Sequence, residues 1–439
     1  MNKTIIALVL SFTVLTLSFG SIVYSQDNQS TTDIHKLIQT KTRSLFDSLV
    51  SFRRDLHQHP ELAGQEIRTA EKIKEKLLSL GMEVKSDIGG HGLIGILKGK
   101  KHGPVIAWRA DIDAFKSIFP DPVEFPSKTA GVRHICGHDI HTTIGFGIAE
   151  VLHSIKNDLT GTIVFIFQPA EEDFSGANKM IEGGIFSLVK PEAVFSLHVA
   201  PLPEGLIAVK SNEVYFREKV MRIELGGRIN IDEAEKDCRQ FIRELSTVSD
   251  NSKYYDMASI ADPNIGLSSP KSIYAKYLVV DRNFKIDKTD STFIIDALLT
   301  GSEERLFKNA LAKVQKQFND SKWRRYIKSI SFLQENHTVY NDPKLTEKSV
   351  NIIQSVYGKG VVQHIYGVSP FNNDDFAFFQ EKVPGVYFFL GASDYSKGII
   401  AMPHSPDFTV DEKCIEAGVD YFSSLLFEYL KSESRVKSR

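Results

Sequence analysis

Residues 161–172, GTIVFIFQPAEE, carry an apolar run from Ile163 to Phe167 that turns polar at Gln168 and closes on two glutamates. A half-exposed strand would alternate, so an unbroken run with β-branched members describes a strand buried on both faces. Such strands lie inside sheets whose two faces are covered by helices. The preceding stretch supplies one: TTIGFGIAEVLHSI, residues 142–155, has helical length and two threonines near its start. Glu171 and Glu172 then fall just beyond the strand's carboxyl end, where open α/β sheets gather their ligands.

The same alternation continues outward. GLIGILKG (92–99), PVIAWRADIDA (104–114), AVFSLHVA (193–200) and GVYFFLGA (385–392) read as strands. A helix is expected from about Asp33 to Leu56, followed by a loop at HPELAGQE (59–66). Ile67, Ala70, Ile73 and Leu77 then recur at helical spacing, with Gly81 as the stop. SVNIIQSVYG (349–358) and IEAGVDYFSSLLFEYL (415–430) read as later helices, the second amphipathic. Strands alternating with helices predict an α/β fold with a largely parallel central sheet.

The middle of the chain reads differently. EKVMRIELGG (218–227) predicts a strand, DEAEKDCRQFIREL (232–245) a helix, and KSIYAKYLVVDRN (271–283) and STFIIDALLTG (291–301) two strands. EERLFKNALAKVQKQF (303–318) follows as helix and IKSISFL (327–333) as strand. That order, β-α-β-β-α-β, is that of a ferredoxin-like α+β unit. The expected organisation is therefore a catalytic domain in two segments, 33–210 and 334–439, with a smaller lid domain, 211–333, inserted between them.

The amino terminus predicts export. Lys3 precedes an apolar run from Ile5 to Phe19, and small or polar residues follow. This is the pattern of a secretory signal peptide over residues 1–25, with a cleavage point after Val23-Tyr24-Ser25. The run is short of the roughly 20 apolar residues that a membrane span needs, and no cysteine follows it for a lipid anchor. Gln26 to Thr32 is polar and is expected to be disordered. A formal charge of −2, from 53 basic and 55 acidic residues, gives no sign of a nucleic-acid partner or a membrane-surface stripe, and neither is expected. The length suggests two domains. Three cysteines, Cys136, Cys238 and Cys414, leave at least one unpaired in an exported chain.

Chemistry-bearing residues collect at the predicted strand ends. HICGHDIHTT (134–143) places Cys136 and His138 just before a helix; His198 ends AVFSL; His404 sits in MPHSPDF (402–408); Asp111 and Asp113 close WRADIDA (108–114). Thiolate, imidazole and carboxylate are the zinc ligand set. Roughly five such groups can hold two ions about 3.5–4 Å apart, and of two adjacent glutamates one can bind metal while the other takes a proton from water. Each residue taken alone has a plainer reading: a buried cysteine is usually a small core residue, and a glutamate pair is usually solvated. His153 and His337 are assigned to structure. A Cys-His nucleophilic pair is the rival active reading, but it leaves Glu171, Glu172, His198 and His404 without a role.

At these residues the chain resembles the metallopeptidase family of aminoacylases, hippurate hydrolases, auxin-conjugate (IAA-amino acid) hydrolases and related carboxypeptidases. RRDLHQHPELAGQE, WRADIDA, GVRHICGHDIHTT, GTIVFIFQPAEED, FSLHV, DDFAFF, VPGVYFFLGA and MPHSPDF carry the likeness, in order, across both catalytic segments. The resemblance implies two divalent metal ions, with Cys136 as bridging ligand and His138, Glu172, His198 and His404 as the other ligands. Zinc is favoured by ligand softness, with manganese, nickel or cobalt as alternatives. It implies Glu171 as general base, Asp113 as a supporting catalytic residue, and Asp139 and His141 as residues that orient the ligands. The implied reaction is hydrolysis of an amide bond in an N-acyl amino acid or small peptide bearing a free carboxylate. A homodimer through the inserted domain is also implied.

The middle domain departs from that pattern. Where the family usually has Gly-Gly-His-Ala, the chain has LGGRI, with Arg228 in place of the histidine. RNFKIDKTDSTFIIDALLT (282–300) offers Asn283 and Arg282 but neither the usual proline nor a well-placed substrate arginine, and Asp374 stands where glutamate is usual. The altered lid leaves a second reading open, that of a metal-binding homologue with weak or no activity, kept for ligand binding.

Overall fold

The computed structural model describes residues 26–437 apart from 290 and 372; the expected signal peptide lies outside the described residues. Eight strands form one sheet in the spatial order Glu83–Ile88, Gly92–Lys98, Thr160–Gln168, Lys101–Asp111, Ala193–Pro203, Gly385–Ser393, Ile207–Val209, Val362–His364. Thr160–Gln168, Lys101–Asp111, Ala193–Pro203 and Gly385–Ser393 run parallel to one another at its centre. Thr160–Gln168 is hydrogen-bonded on both sides, antiparallel to Gly92–Lys98 and parallel to Lys101–Asp111. Ile163 to Phe167 are all buried, which is why that strand shows no alternation.

Helices Gln26–Gln58, His138–Ser154 and Lys413–Lys437 pack together against the sheet. His138–Ser154 is buried over nearly its whole length, with Ile144, Ile148, Val151 and Leu152 in the main core. The first helix spans Gln26–Gln58 and includes the expected helical stretch from Asp33 to Leu56. Once a helix is nucleated, each added residue gains a hydrogen bond at little cost.

A second sheet has four antiparallel strands in the order Leu278–Lys288, Thr292–Gly301, Arg217–Gly226, Ile327–Glu335. With helices Ile231–Arg243 and Glu304–Asn319 it makes the inserted ferredoxin-like unit, with its own core around Ile223, Ile295, Phe307 and Phe318. Burial alternates strictly along Thr292–Gly301, as expected of a sheet covered on one face. The expected strand at 271–283 is corrected: the strand starts at Leu278, and Tyr274 and Tyr277 are buried in the preceding turn. Ser272 Oγ accepts the Tyr274 N–H and Ser302 Oγ the Tyr277 N–H, so side chains take the donors that a sheet would have used.

Candidate metal centre

The carboxyl ends of the parallel strands and the start of helix His138–Ser154 converge on one cluster. Gly137 sets the entry to the helix. Its φ of +91° is left-handed, and a Cβ there would lie 2.4 Å from Val199 Cγ2. Only glycine lets the Cys136–His138 turn press against the strand that carries His198.

Cys136 Sγ lies 3.2 Å from His198 Nε2. His198 Nδ1 donates to the Val199 carbonyl at 2.7 Å, which leaves the Nε2 lone pair facing the thiol. His138 Nδ1 lies 3.0 Å from the Asp113 carbonyl and 3.2 Å from Asp113 Oδ1, while its buried Nε2 has no hydrogen-bond partner. That Nε2 stands 3.6 Å from Glu171 Oε2 and 3.9 Å from Glu172 Oε1. Glu172 Oε1 lies 3.2 Å from His404 Nε2, and Asp113 Oδ2 accepts the Glu172 N–H at 3.0 Å. All five expected ligands therefore meet. Cys136, His138 and His198 form one set of converging donor atoms; Cys136, Glu172 and His404 form another; Cys136 belongs to both. An orphaned buried imidazole nitrogen among thiol, imidazole and carboxylate donors fits two cations sharing a thiolate.

Backbone strain marks two of the approaches. Ala170, immediately before Glu171, has φ +51°, and His404 itself has φ +61°. Non-glycine residues hold that conformation only where their surroundings impose it. Glu66 imposes it at Ala170: its buried carboxylate accepts the N–H groups of Ala170 and Gly64, each at 2.8 Å. The HPELAGQE loop thus braces the Glu171–Glu172 turn.

His141 and Asp139 sit behind the donors. His141 Nδ1 meets Asp111 Oδ1 at 2.6 Å, and its Nε2 accepts the Val199 N–H at 2.9 Å, so neither nitrogen is free to ligate. Asp139 faces away, held by Arg53 at 2.7 Å and His57 at 2.8 Å. Under the cluster lies Arg109, fully buried, with Asp111 at 2.6 Å, Asp374 at 3.0 Å and Asp375 at 3.1 Å. Tyr387 donates to Asp374 at 2.8 Å. Sequence reasoning assigned no role to Arg109, Asp375 or Glu66. The signal available was an arginine inside a strand expected to be buried, which demands carboxylate partners.

Electrostatics follow from burial. Glu171 is raised well above the usual carboxylate range by burial and then by Asp374, against the pull of His138. Burial and Asp374 push Asp375 up to about 7, although Arg109 opposes them. Burial and then Glu172 raise the Cys136 thiol, and burial depresses His198. For His138 burial acts downward, but Asp111 and Cys136 outweigh it and the net shift is upward. A bound cation would reverse the direction at Cys136, since a ligating thiol is deprotonated outright.

The lid residues behave otherwise. Arg228 is exposed in the turn after strand Arg217–Gly226, and Arg282 pairs with Asp250 at the surface. Among the described residues no contact joins either arginine to the donor cluster.

Comparison with known proteins agrees with the site. The description of Peptidase family M20/M25/M40 matches residues 107–428. Thermostable carboxypeptidase 1 of Saccharolobus solfataricus is 29% identical over 401 residues, covering 88% of this chain and 96% of the relative. N-acetylcysteine deacetylase of Bacillus subtilis is 32% identical over 390 residues, covering 86% of this chain and 95% of the relative. The solved structure of the Bacillus subtilis YXEP protein, a dinuclear metal binding peptidase, superposes with a TM-score of 0.68 at 27% identity, covering 89% of this chain and 99% of that one.

Proposed function

The chain belongs to Peptidase family M20/M25/M40, and from that premise we propose that this metal-dependent hydrolase cleaves the amide bond of N-acyl amino acids or small peptides with a free carboxylate. One observation carries the reading: two donor sets share Cys136, and the Glu171 carboxylate converges with His138 of one set and Glu172 of the other. In this reading Cys136, His138 and His198 would hold one ion and Cys136, Glu172 and His404 the other, zinc being favoured by the thiolate and imidazole donors. Such ions, when bound, polarise a carbonyl and lower the pKa of water toward about 7.

The chain's own residues do the rest. Glu171 takes the proton of the attacking water and returns it to the departing amine nitrogen. Burial and Asp374 raise Glu171 when no cation is bound; cations held beside it would pull it back down and leave the carboxylate ionised to accept the proton. Asp113 keeps the His138 ring in one orientation through Nδ1 and anchors the Glu172 backbone. The lid sheet ends on two outer strands, Leu278–Lys288 and Ile327–Glu335, through which copies could pair; sedimentation of the full chain tests it. Export rests on the Lys3 and Ile5–Phe19 pattern, and amino-terminal sequencing of the mature protein tests it.

The decisive experiment assays the metal-loaded enzyme on a panel of N-acyl amino acids and dipeptides beside Glu171→Gln, with bound metal quantified. The variant is expected to retain its metal and lose about 100- to 10,000-fold in kcat. A variant as active as the parent would refute Glu171 as the base. A metal-loaded parent inert on the whole panel would favour the ligand-binding reading.

A further inference from the structure

HPELAGQE (59–66) lies outside the donor sets, yet it ends on a fully buried glutamate, Glu66. Burying a carboxylate is costly unless it is paired, and among the described residues no cation pairs with this one. Its Oε1 accepts the Gly64 and Ala170 N–H groups, each at 2.8 Å, and its Oε2 has no partner. Local structure does not explain the residue either. Glu66 stands at the N-cap of helix Ile67–Ser79, where a side chain ordinarily accepts an N–H from the first turn. Glu66 makes no such bond. Glu61 makes it instead, accepting the Arg68 N–H at 3.0 Å and the Thr69 N–H at 2.8 Å. With the helix capped by Glu61, the Glu66 carboxylate is free to reach Ala170, 104 positions away.

The same loop grips a second strand end. The Ala114 N–H donates to the Glu61 carbonyl at 2.8 Å, and Leu62 forms a bridge with Ala114, next to Asp113. The two glutamates after Ala170 depend on this clamp unequally. Glu172 has anchors of its own: its N–H donates to Asp113 Oδ2 at 3.0 Å, and its Oε1 lies 3.2 Å from His404 Nε2. Glu171 follows directly on Ala170, whose φ of +51° is left-handed. For an alanine that conformation is disfavoured about 5- to 30-fold. A turn released from Glu66 would swing toward negative φ and carry Glu171 with it.

Resting on the amidohydrolase reading above, we propose that Glu66 is a positioning residue for the base: its carboxylate holds the Ala170 turn and thereby aims Glu171, while Glu172 keeps its place through Asp113 and His404. This gives the buried carboxylate a function that an apolar side chain, easier to bury, could not perform.

The test measures kcat, KM and bound metal on N-acetylmethionine and N-benzoylglycine for the metal-loaded full chain and its variants, with folding checked by circular dichroism. Glu66→Met, which fills the site without an acceptor, is expected to lower kcat about tenfold with KM and bound metal unchanged. Glu66→Gln keeps an accepting oxygen and should lose far less. Adding Ala170→Gly to Glu66→Met should restore most of the loss, because glycine holds a positive φ without support; a merely structural defect at Glu66 would not be rescued from Ala170. Ala170→Val strains the same turn with Glu66 in place and should lower kcat likewise, so the role stays testable if Glu66→Met folds poorly. An unchanged kcat in Glu66→Met, a loss that Ala170→Gly fails to recover, or a loss matched by lost metal overturns the role and leaves the amidohydrolase reading intact. A metal-loaded parent inert on both compounds overturns the two together.

Discussion

Replacing Arg109 with methionine removes the guanidinium shared by three buried carboxylates. Asp111, Asp374 and Asp375 each accept from that guanidinium, at 2.6, 3.0 and 3.1 Å. Breaking a buried charge pair from one side costs about 3–5 kcal/mol. The structure narrows this figure, because the variant has an escape: one of the carboxyls can take up a proton. Asp375 is already pushed up to about 7 with Arg109 in place, so the added proton comes to a second carboxyl; at Asp111 Arg109 acts behind His138 and His141, which together hold it well below the usual range against its burial. Keeping one carboxyl neutral at pH 7, when its unfolded pKa is about 3.9, costs about 4 kcal/mol; at pH 5 the same proton costs about 1.5 kcal/mol. The variant's folded state then binds a proton that its unfolded chain lacks, so its deficit relative to the parent grows as pH rises and shrinks as pH falls. Urea unfolding of chelator-treated parent and variant, followed by tryptophan fluorescence at pH 7 and pH 5, measures the difference. A deficit under about 1 kcal/mol at pH 7, or one that widens on acidification, would refute the assignment of Arg109 as the charge that permits these carboxylates to be buried.

Other consequences can be checked alongside. Cys136 belongs to both donor sets, so Cys136→Ser should reduce bound metal by more than the equivalent change at His404, as read by elemental analysis after dialysis. His141→Ala leaves Asp111 Oδ1 and the Val199 N–H without their partner; metal affinity should weaken by about 10- to 100-fold in a competition titration with a chelator. Gly137→Ala combines a left-handed φ with a 2.4 Å approach to Val199. It should destabilise the chain by about 1–3 kcal/mol, and unchanged unfolding would show that the turn relaxes freely.

The sequence alone was enough for the alternation of buried strands and helices, because a strand covered on both faces must be apolar throughout, and Ile163–Phe167 is. It was enough for the β-α-β-β-α-β order of the middle segment, whose periodicities are local. It also isolated Cys136, His138, Glu171, Glu172, His198 and His404, because such side chains at the ends of apolar strands have few structural uses. It failed at residues 271–277, where Ser272 and Ser302 side chains capture backbone donors; that competition depends on a residue some 25 positions away. The tertiary fold alone decided that Arg109, beside Asp111 on its own strand, also meets Asp374 and Asp375 from a segment more than 260 positions away, that Glu66 holds Ala170 in a left-handed turn, and that both nitrogens of His141 are engaged while His138 Nε2 is not. Those facts are distances between distant segments, set by strand order and by which strand ends share an edge of the sheet. A linear pattern records what each segment buries, but not which neighbour it will meet there.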